Sequence, residues 1–334
     1  MKLSSYQALL ERLNPRHPQY ADIHSQFRKY QSGLFGEDSL DYYFRVSGLH
    51  GKQLIKGLRL KHHDYFQMDR ILVSLKYILI IEVKNMSGII HFDSHSHQLH
   101  RYKEEQIDIF PDPILQVQLQ KIQLMQYLHH FPHPIPPIHT VCVFTNSNGK
   151  LEIVNYPHKD RILTSQALPL YIQKMDQHYV NSISSNQQED LVNYLKSGHV
   201  ENQINLMEKH GLSWNDLKKG VPCITCGRFA MKRERYRWQC PHCDKRSDDA
   251  HLRPLFHLAL LSGNKVTNRL ARDFLLVQSA DAIRKMLVRA WFERRGANKN
   301  GYYSLDFRKV TDKRLKVTDK NRKVTDKNRK VTDK

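Results

Sequence analysis

Apolar residues in this chain recur first at helical spacing and then in short β-rich runs. Leu3, Leu9, Leu10 and Leu13 mark a short amphipathic helix that ends at Asn14-Pro15. Phe27, Tyr30, Leu34, Leu40, Tyr43 and Phe44 carry a second helical stretch, which Gly33 and Gly36 interrupt. The two glycines are expected to mark its true start, leaving Glu37 near a helix N-terminus, where its charge would suit the helix dipole. Strands are expected at about 53–60, 65–75, 77–84, 88–93 and 97–102. Arg70–Leu75 and Tyr77–Val83 meet at Lys76, so this pair reads as a hairpin. Asp112-Pro113 opens the next helix, with Ile114, Val117, Leu119, Leu124 and Leu128 beside an amide row at Gln116, Gln118, Gln120 and Gln123. Residues 138–145 form a buried strand in which Cys142 is a core thiol. Residues 150–210 add a strand, a helix near Leu168–Gln177 and polar helices, with Ser182–Gln188 as a loop.

The hairpin carries the first candidate chemistry. Asp69 stands at the start of one apolar run and Glu82 at the end of the next, so Asp69, Glu82 and Lys84 converge at the open end. Charged groups at the end of an apolar strand pair cost desolvation energy unless they are paired or bind a metal. Two carboxylates can hold Mg²⁺, a hard cation that takes oxygen ligands and keeps several waters. Glu82 and Lys84 project from one strand face, and a lysine there could orient or deprotonate a water for attack on a phosphodiester. On the Glu-x-Lys triplet alone, a simple edge-strand salt bridge is the commoner explanation, because single short motifs recur by chance.

The surrounding residues weigh against the simple salt bridge. Asp69, the apolar run Tyr77–Ile81 and Glu82-Val83-Lys84 resemble the PD-(D/E)XK nuclease core, although Met68 rather than proline precedes Asp69. Gly36-Glu37, Tyr65–Asp69, Ile81–Gly88 and Pro113–Gln116 more closely resemble the nuclease-related domain family, NERD, over about residues 30–145. The resemblance implies an α/β, restriction-endonuclease-like core, a mixed sheet flanked by helices. It also implies catalysis by Asp69, Glu82 and Lys84, with Mg²⁺ or Mn²⁺ on the two carboxylates. Glu37 becomes a candidate metal-site or water-holding carboxylate. Gln116 occupies the family's glutamine position, where it could bond a nucleotide or Lys84.

A second constellation is independent of that resemblance. Cys223-x-x-Cys226 and Cys240-x-x-Cys243 are two knuckles that could complete one tetrahedral Zn²⁺ as a zinc ribbon over 220–246. Paired disulfides are the alternative. Lys232, Arg233, Arg235, Tyr236, Arg237 and Trp238 give the stretch between the knuckles a basic, aromatic surface that suits nucleic acid; solvated arginines on a structural ribbon remain open. The four histidines at 91, 95, 97 and 100 follow no metal-ligand spacing.

Residues 250–307 read as three helices and a glycine-bounded hairpin at 296–303, the order of a winged helix-turn-helix with Arg284, Lys285 and Arg289 on or near its third helix. A protein-interaction module would have the same order. Residues 308–334 repeat Lys-Val-Thr-Asp-Lys every seven residues with one apolar residue per repeat, too few for a coiled coil, so a disordered cationic tail is expected.

Charge sharpens this division. The formal net charge of the 334 residues is +20, with excesses of +3 over 1–222, +9 over 223–307 and +8 over 308–334. Basicity therefore concentrates in the C-terminal third, as expected for a grip on phosphates through counterion release. No run approaches the length of a membrane helix and no signal peptide is recognisable at the start, so a cytoplasmic protein is expected. The combined reading is a nuclease domain over 1–205, the ribbon, the helical module and the tail. Its function is metal-dependent hydrolysis of phosphodiesters, with DNA favoured as the partner. The alternative is a nuclease-like DNA-binding or regulatory protein that does not cut.

Overall fold

The computed structural model describes residues 2–202, 204–296 and 301–307. The chain divides into two compact units, Lys29–Asn202 and a second built from the described parts of Met1–Arg28 and Gln203–Lys334. The sequence reading puts residues 1–205 in one domain, whereas the first 28 residues group with the C-terminal part. Helix α1 (Lys2–Arg12) explains why: its Arg12 is 1% exposed and donates to the carbonyls of Lys218 (2.7 Å) and Gly220 (3.3 Å). No local pattern encodes a contact across two hundred residues. Helix α2 (Tyr20–Val46) then runs on without a break through Gly33 and Gly36.

The Lys29–Asn202 unit continues with strands β1 (Gln53–His62), β2 (Asp64–Val73), β3 (Ile78–Lys84), β4 (Gly88–Asp93), β5 (Gln98–Lys103) and β6 (Gln106–Pro111). Helix α3 (Pro113–Tyr127), strands β7 (Ile138–Phe144), β8 (Gly149–Glu152) and β9 (Ile162–Thr164), and helices α4 (Leu168–His178) and α5 (Ser185–Ser197) complete it. The main sheet has the order β1-β2-β3-β7-β9, antiparallel through β3 and parallel from β3 to β9. Ile78 and Ile80 pack in one core with Val117 and Leu124 of α3 and Leu191 and Leu195 of α5. Leu79 and Ile81 pack in another with Leu40 and Phe44 of α2 and Leu168 and Ile172 of α4. A strand with helices on both faces needs apolar residues at every position, which is why Tyr77–Ile81 shows no alternation. A smaller sheet, β6-β5-β4-β8, shares a third core with Cys142 and Phe144.

Two details position the end of the hairpin. Ser74 closes the β2–β3 turn, its Oγ accepting from the N–H groups of Lys76 and Tyr77 and its own N–H donating to the Tyr77 carbonyl. On β2, both Met68 and Ile71 reach the core shared with α3, so the in–out alternation slips by one residue beside Asp69. β1 slips likewise between Ile55 and Leu58, where Gly57 adopts φ +58°, a conformation that suits glycine. Ser182–Gln188, expected as a loop, includes the start of α5, where Ser184 and Gln187 form a capping box.

The other unit adds α6 (Leu206–Lys209), strands β10 (Lys232–Glu234), β11 (Arg237–Gln239) and β12 (Arg246–Ser247), and helices α7 (Leu252–Leu261), α8 (Asn268–Leu275) and α9 (Ala280–Arg289). Strands β13 (Phe292–Arg295) and β14 (Tyr302–Leu305) end it. Strands β10, β11 and β12 form a small antiparallel sheet around the cysteine knuckles, with Trp238 buried at its centre. Thr267 and Ser279 cap α8 and α9, whose Phe274, Ile283, Met286 and Leu287 face inward. A bridge between Val266 and Tyr303 adds a third edge to the β13–β14 pair. The order is three helices followed by a hairpin. The tip of that hairpin, 297–300, and the repeats over 308–334 lie outside the described residues.

Candidate active site

Asp69 on β2 and Glu82 on β3 come together beside the start of α3. Arg70 pairs with Ile81 in the β2–β3 register, and Asp69 Oδ2 accepts the backbone N–H of Val83 at 3.0 Å. Glu82 is 4% exposed, and three side-chain donors bind its carboxylate, leaving acceptor capacity on Oε2. Its Oε1 accepts from Lys84 Nζ and from Gln116 Nε2, both at 2.7 Å, and its Oε2 accepts from Gln120 Nε2 at 3.1 Å. Lys84 Nζ also donates to Gln116 Oε1 at 3.0 Å. Gln116 thus ties the lysine to the carboxylate.

Local structure explains how α3 reaches the strand. Asp112 caps the helix by accepting from the Ile114 N–H at 2.7 Å, and its other oxygen accepts from the Tyr156 hydroxyl at 2.6 Å. Gln116 and Gln120 lie one helical turn apart and therefore meet the same carboxylate. Sequence reasoning singled out Gln116 and treated Gln120 as part of a polar face; their i, i+4 spacing was the available signal.

Glu37 sits inside α2, not near its start. A helix-dipole role therefore does not apply to it. Its Oε2 accepts from Arg70 Nη1 at 2.6 Å, and the same Nη1 donates to the Asp69 carbonyl at 2.9 Å. Arg70, which sequence reasoning missed, is 2% exposed and links α2 to the backbone of Asp69. Gly36 permits this approach. A Cβ there would lie 2.6 Å from Asn85 Cβ and 2.8 Å from Thr145 Oγ1, so its glycine serves closeness rather than a helix break.

The electrostatics follow from burial and like charge. Burial, then the neighbouring Glu82, lift the Asp69 carboxyl from 3.8 to about 7. Burial also raises Glu37, against the opposing pull of Arg70. For Lys84, burial acts to lower the pKa, but the charge and hydrogen bond of Glu82 outweigh it and raise the value above the ordinary one. Lys84 is thus held as an ammonium. The crowding of Asp69 against Glu82 is the kind of repulsion that a divalent cation relieves, and carboxylate oxygens are the donors that Mg²⁺ takes. The donor set fits such an ion.

The four cysteines form the second site. Cys223 Sγ and Cys243 Sγ lie 3.5 Å apart, Cys226 Sγ and Cys240 Sγ 3.7 Å, and all four sulfurs fall within 4.8 Å of one another. A tetrahedral zinc with Zn–S bonds of roughly 2.3 Å needs sulfurs about 3.8 Å apart, so the set fits one zinc ion. None of the four is paired in this structure, and the closest sulfurs, 3.5 and 3.7 Å apart, lie well beyond the roughly 2.05 Å of a disulfide bond, so the geometry favours the metal over the disulfide alternative. His91 and His100 are cross-strand partners on β4 and β5, and among the described residues the histidines join no such cluster.

Residues 32–145 match the family model of the nuclease-related domain, NERD. The match spans about a third of the chain and includes Glu37, Asp69, Glu82, Lys84 and Gln116, whereas the cysteine cluster lies beyond it. No curated protein and no solved structure matches the chain. Among the described residues no helix is long and apolar enough to cross a membrane.

Proposed function

Taking residues 32–145 as a nuclease-related domain, we propose that the protein is a divalent-metal-dependent nuclease that hydrolyses phosphodiester bonds, with DNA as its preferred substrate. The observation that carries this reading is the network at Glu82. A buried carboxylate is bound by Lys84, Gln116 and Gln120 while a second, Asp69, is lifted toward neutrality by burial and then by the charge of Glu82. An edge-strand salt bridge would account for Lys84 but not for the second carboxylate crowded against the first.

Asp69 and Glu82 would hold Mg²⁺ or Mn²⁺, which when bound supplies Lewis-acid stabilisation of charge on the phosphate oxygens. Lys84, kept protonated, has N–H capacity beyond its bonds to Glu82 and Gln116 and offers it to a phosphate oxygen or to the attacking water. Gln116 fixes the ammonium by accepting from it and fixes Glu82 by donating to it. Glu37 and Arg70 act one step further out, holding the backbone at Asp69.

Cys223, Cys226, Cys240 and Cys243 hold a structural Zn²⁺ in this reading, and free thiols suit a reducing, cytoplasmic compartment. The basic C-terminal third supplies attraction to the phosphate backbone that the nearly neutral nuclease domain lacks. The test is a cleavage assay on duplex DNA, single-stranded DNA and RNA, with and without Mg²⁺, for wild type and Glu82→Ala. Metal-dependent cleavage that Glu82→Ala abolishes is expected. Wild-type protein that binds DNA but cuts none of these substrates under any divalent ion would replace the nuclease by a DNA-binding regulator.

A further inference from the structure

A cavity of about 300 Å³ opens between the β10–β11 hairpin and helix α9. Arg233 and Arg235 line it from the hairpin and Lys285 and Arg289 from the helix, with the exposed rings of Tyr236 and Trp291 in the same wall. His251, only 6% exposed, also lines it. Trp238 Nε1 donates to His251 Nδ1 at 3.1 Å. An indole N–H can only donate, so Nδ1 accepts and the neutral ring carries its proton on Nε2. That Nε2 is buried without a hydrogen-bond partner, and so is Nη1 of Arg233.

The charges point the same way. Asp248 is engaged by Arg237 at 3.1 Å, Asp281 by Arg284 and Lys285 at 2.9 and 2.8 Å, and Asp249 accepts from Ser247. Among the described residues no carboxylate pairs with Arg233, Arg235 or Arg289. Burial and then the nearby Arg289 hold Arg233 below its ordinary value, a sign of crowded positive charge. Guanidiniums with no carboxylate partner suit a phosphate, and exposed aromatic rings beside them suit a base.

We propose that this cavity binds one nucleotide of a single-stranded nucleic acid, with its phosphate held by the Arg233 and Arg289 guanidiniums and its base stacked on Trp291 or Tyr236. The proposal rests on the nucleic-acid reading of the C-terminal region and is independent of cleavage. It assigns α9 a strand-gripping role with the ribbon, in contrast to insertion into a duplex groove.

The experiment measures fluorescence anisotropy of a labelled short oligothymidylate with the full-length chain carrying Glu82→Ala, so that no strand is cut. Arg289→Ala and Trp291→Ala should each weaken binding roughly ten-fold, and Trp291→Phe should restore most of the loss because the ring face is kept. Arg289→Ala should also reduce the slope of log affinity against log salt by about 0.7, one phosphate contact on a single strand, while Trp291→Ala leaves that slope unchanged. Both positions are exposed, and retained zinc in each variant checks that the ribbon is folded.

Unchanged strand affinity in both variants would overturn the proposal. Thymidine monophosphate or inorganic phosphate binding as tightly as the strand, with the same sensitivity to Arg289→Ala, would overturn the strand assignment in favour of a free-phosphate site. A matching duplex that alone feels the variants would overturn it in favour of groove binding. Strand binding that feels both variants in a protein whose wild type cuts nothing would uphold this site and remove only the nuclease reading.

Discussion

Asp69→Asn is expected to stabilise the metal-free protein, and to do so in a pH-dependent way. Burial and the neighbouring Glu82 lift the Asp69 carboxyl from 3.8 to about 7 in the folded chain. Between those values the folded state holds a proton that the unfolded state has released, so stability falls as pH rises through the window and stays at its lower level above about 7. A rise of roughly three pH units at about 1.4 kcal/mol each makes the penalty about 4 kcal/mol on the ionised form. Asparagine removes the charge, but its neutral oxygen accepts the Val83 N–H more weakly, which gives back about 1–2 kcal/mol. The net gain at pH 8 is therefore about 2–3 kcal/mol. For a domain of this size it raises the melting temperature by roughly 5–10 °C. At pH 5 only roughly a third of the penalty has developed, so the gain shrinks accordingly. Urea and thermal unfolding of metal-free wild type and variant at both pH values measures it. A variant no more stable than wild type at pH 8, or equally stabilised at both pH values, would refute the reasoning that Asp69 is buried here beside a second carboxylate.

Three further outcomes test other parts of the structure. Wild type should carry about one equivalent of zinc by metal analysis and Cys240→Ser should lose it, opening the C-terminal region to proteolysis, since metal binding and folding are coupled in so small a module. Gly36→Ala should destabilise by about 1–3 kcal/mol through overpacking against Asn85 and Thr145, whereas Gly33→Ala, which meets open space in the same helix, should be neutral or stabilise by up to about 1 kcal/mol; denaturant midpoints separate the two. Glu37→Ala should cost up to about 3 kcal/mol by leaving Arg70 buried without its close partner, a cost softened by Asp38 at 3.7 Å and measured by the same unfolding curves.

The hairpin and its charged end were legible in the sequence because both signals are local. An apolar run buried on two faces reads directly, and Asp69, Glu82 and Lys84 are set by register once the turn at Lys76 is recognised. The cysteine knuckles were legible for the same reason. Glu37 was misplaced because Gly33 and Gly36 look like helix breakers, while in the fold Gly36 answers to Asn85 and Thr145, residues far along the chain. Arg70 looked like one more strand residue, and nothing near it in sequence announces a buried ion pair with α2. The grouping of residues 1–28 with the C-terminal part depends on Arg12 reaching the carbonyls of Lys218 and Gly220. Such long-range partners leave no local periodicity.

The central claim is that Asp69 and Glu82 share a divalent cation whose binding does not depend on Lys84. Mn²⁺ binding by electron paramagnetic resonance, read beside the cleavage rate in the same samples of wild type, Glu82→Ala and Lys84→Ala, tests it most directly. Glu82→Ala should lose both the ion and cleavage, while Lys84→Ala should lose cleavage and keep the ion, because the ammonium acts on the phosphodiester and the carboxylates on the metal. Glu82→Ala that binds Mn²⁺ as wild type does, or Lys84→Ala that cuts at the wild-type rate, would contradict the account.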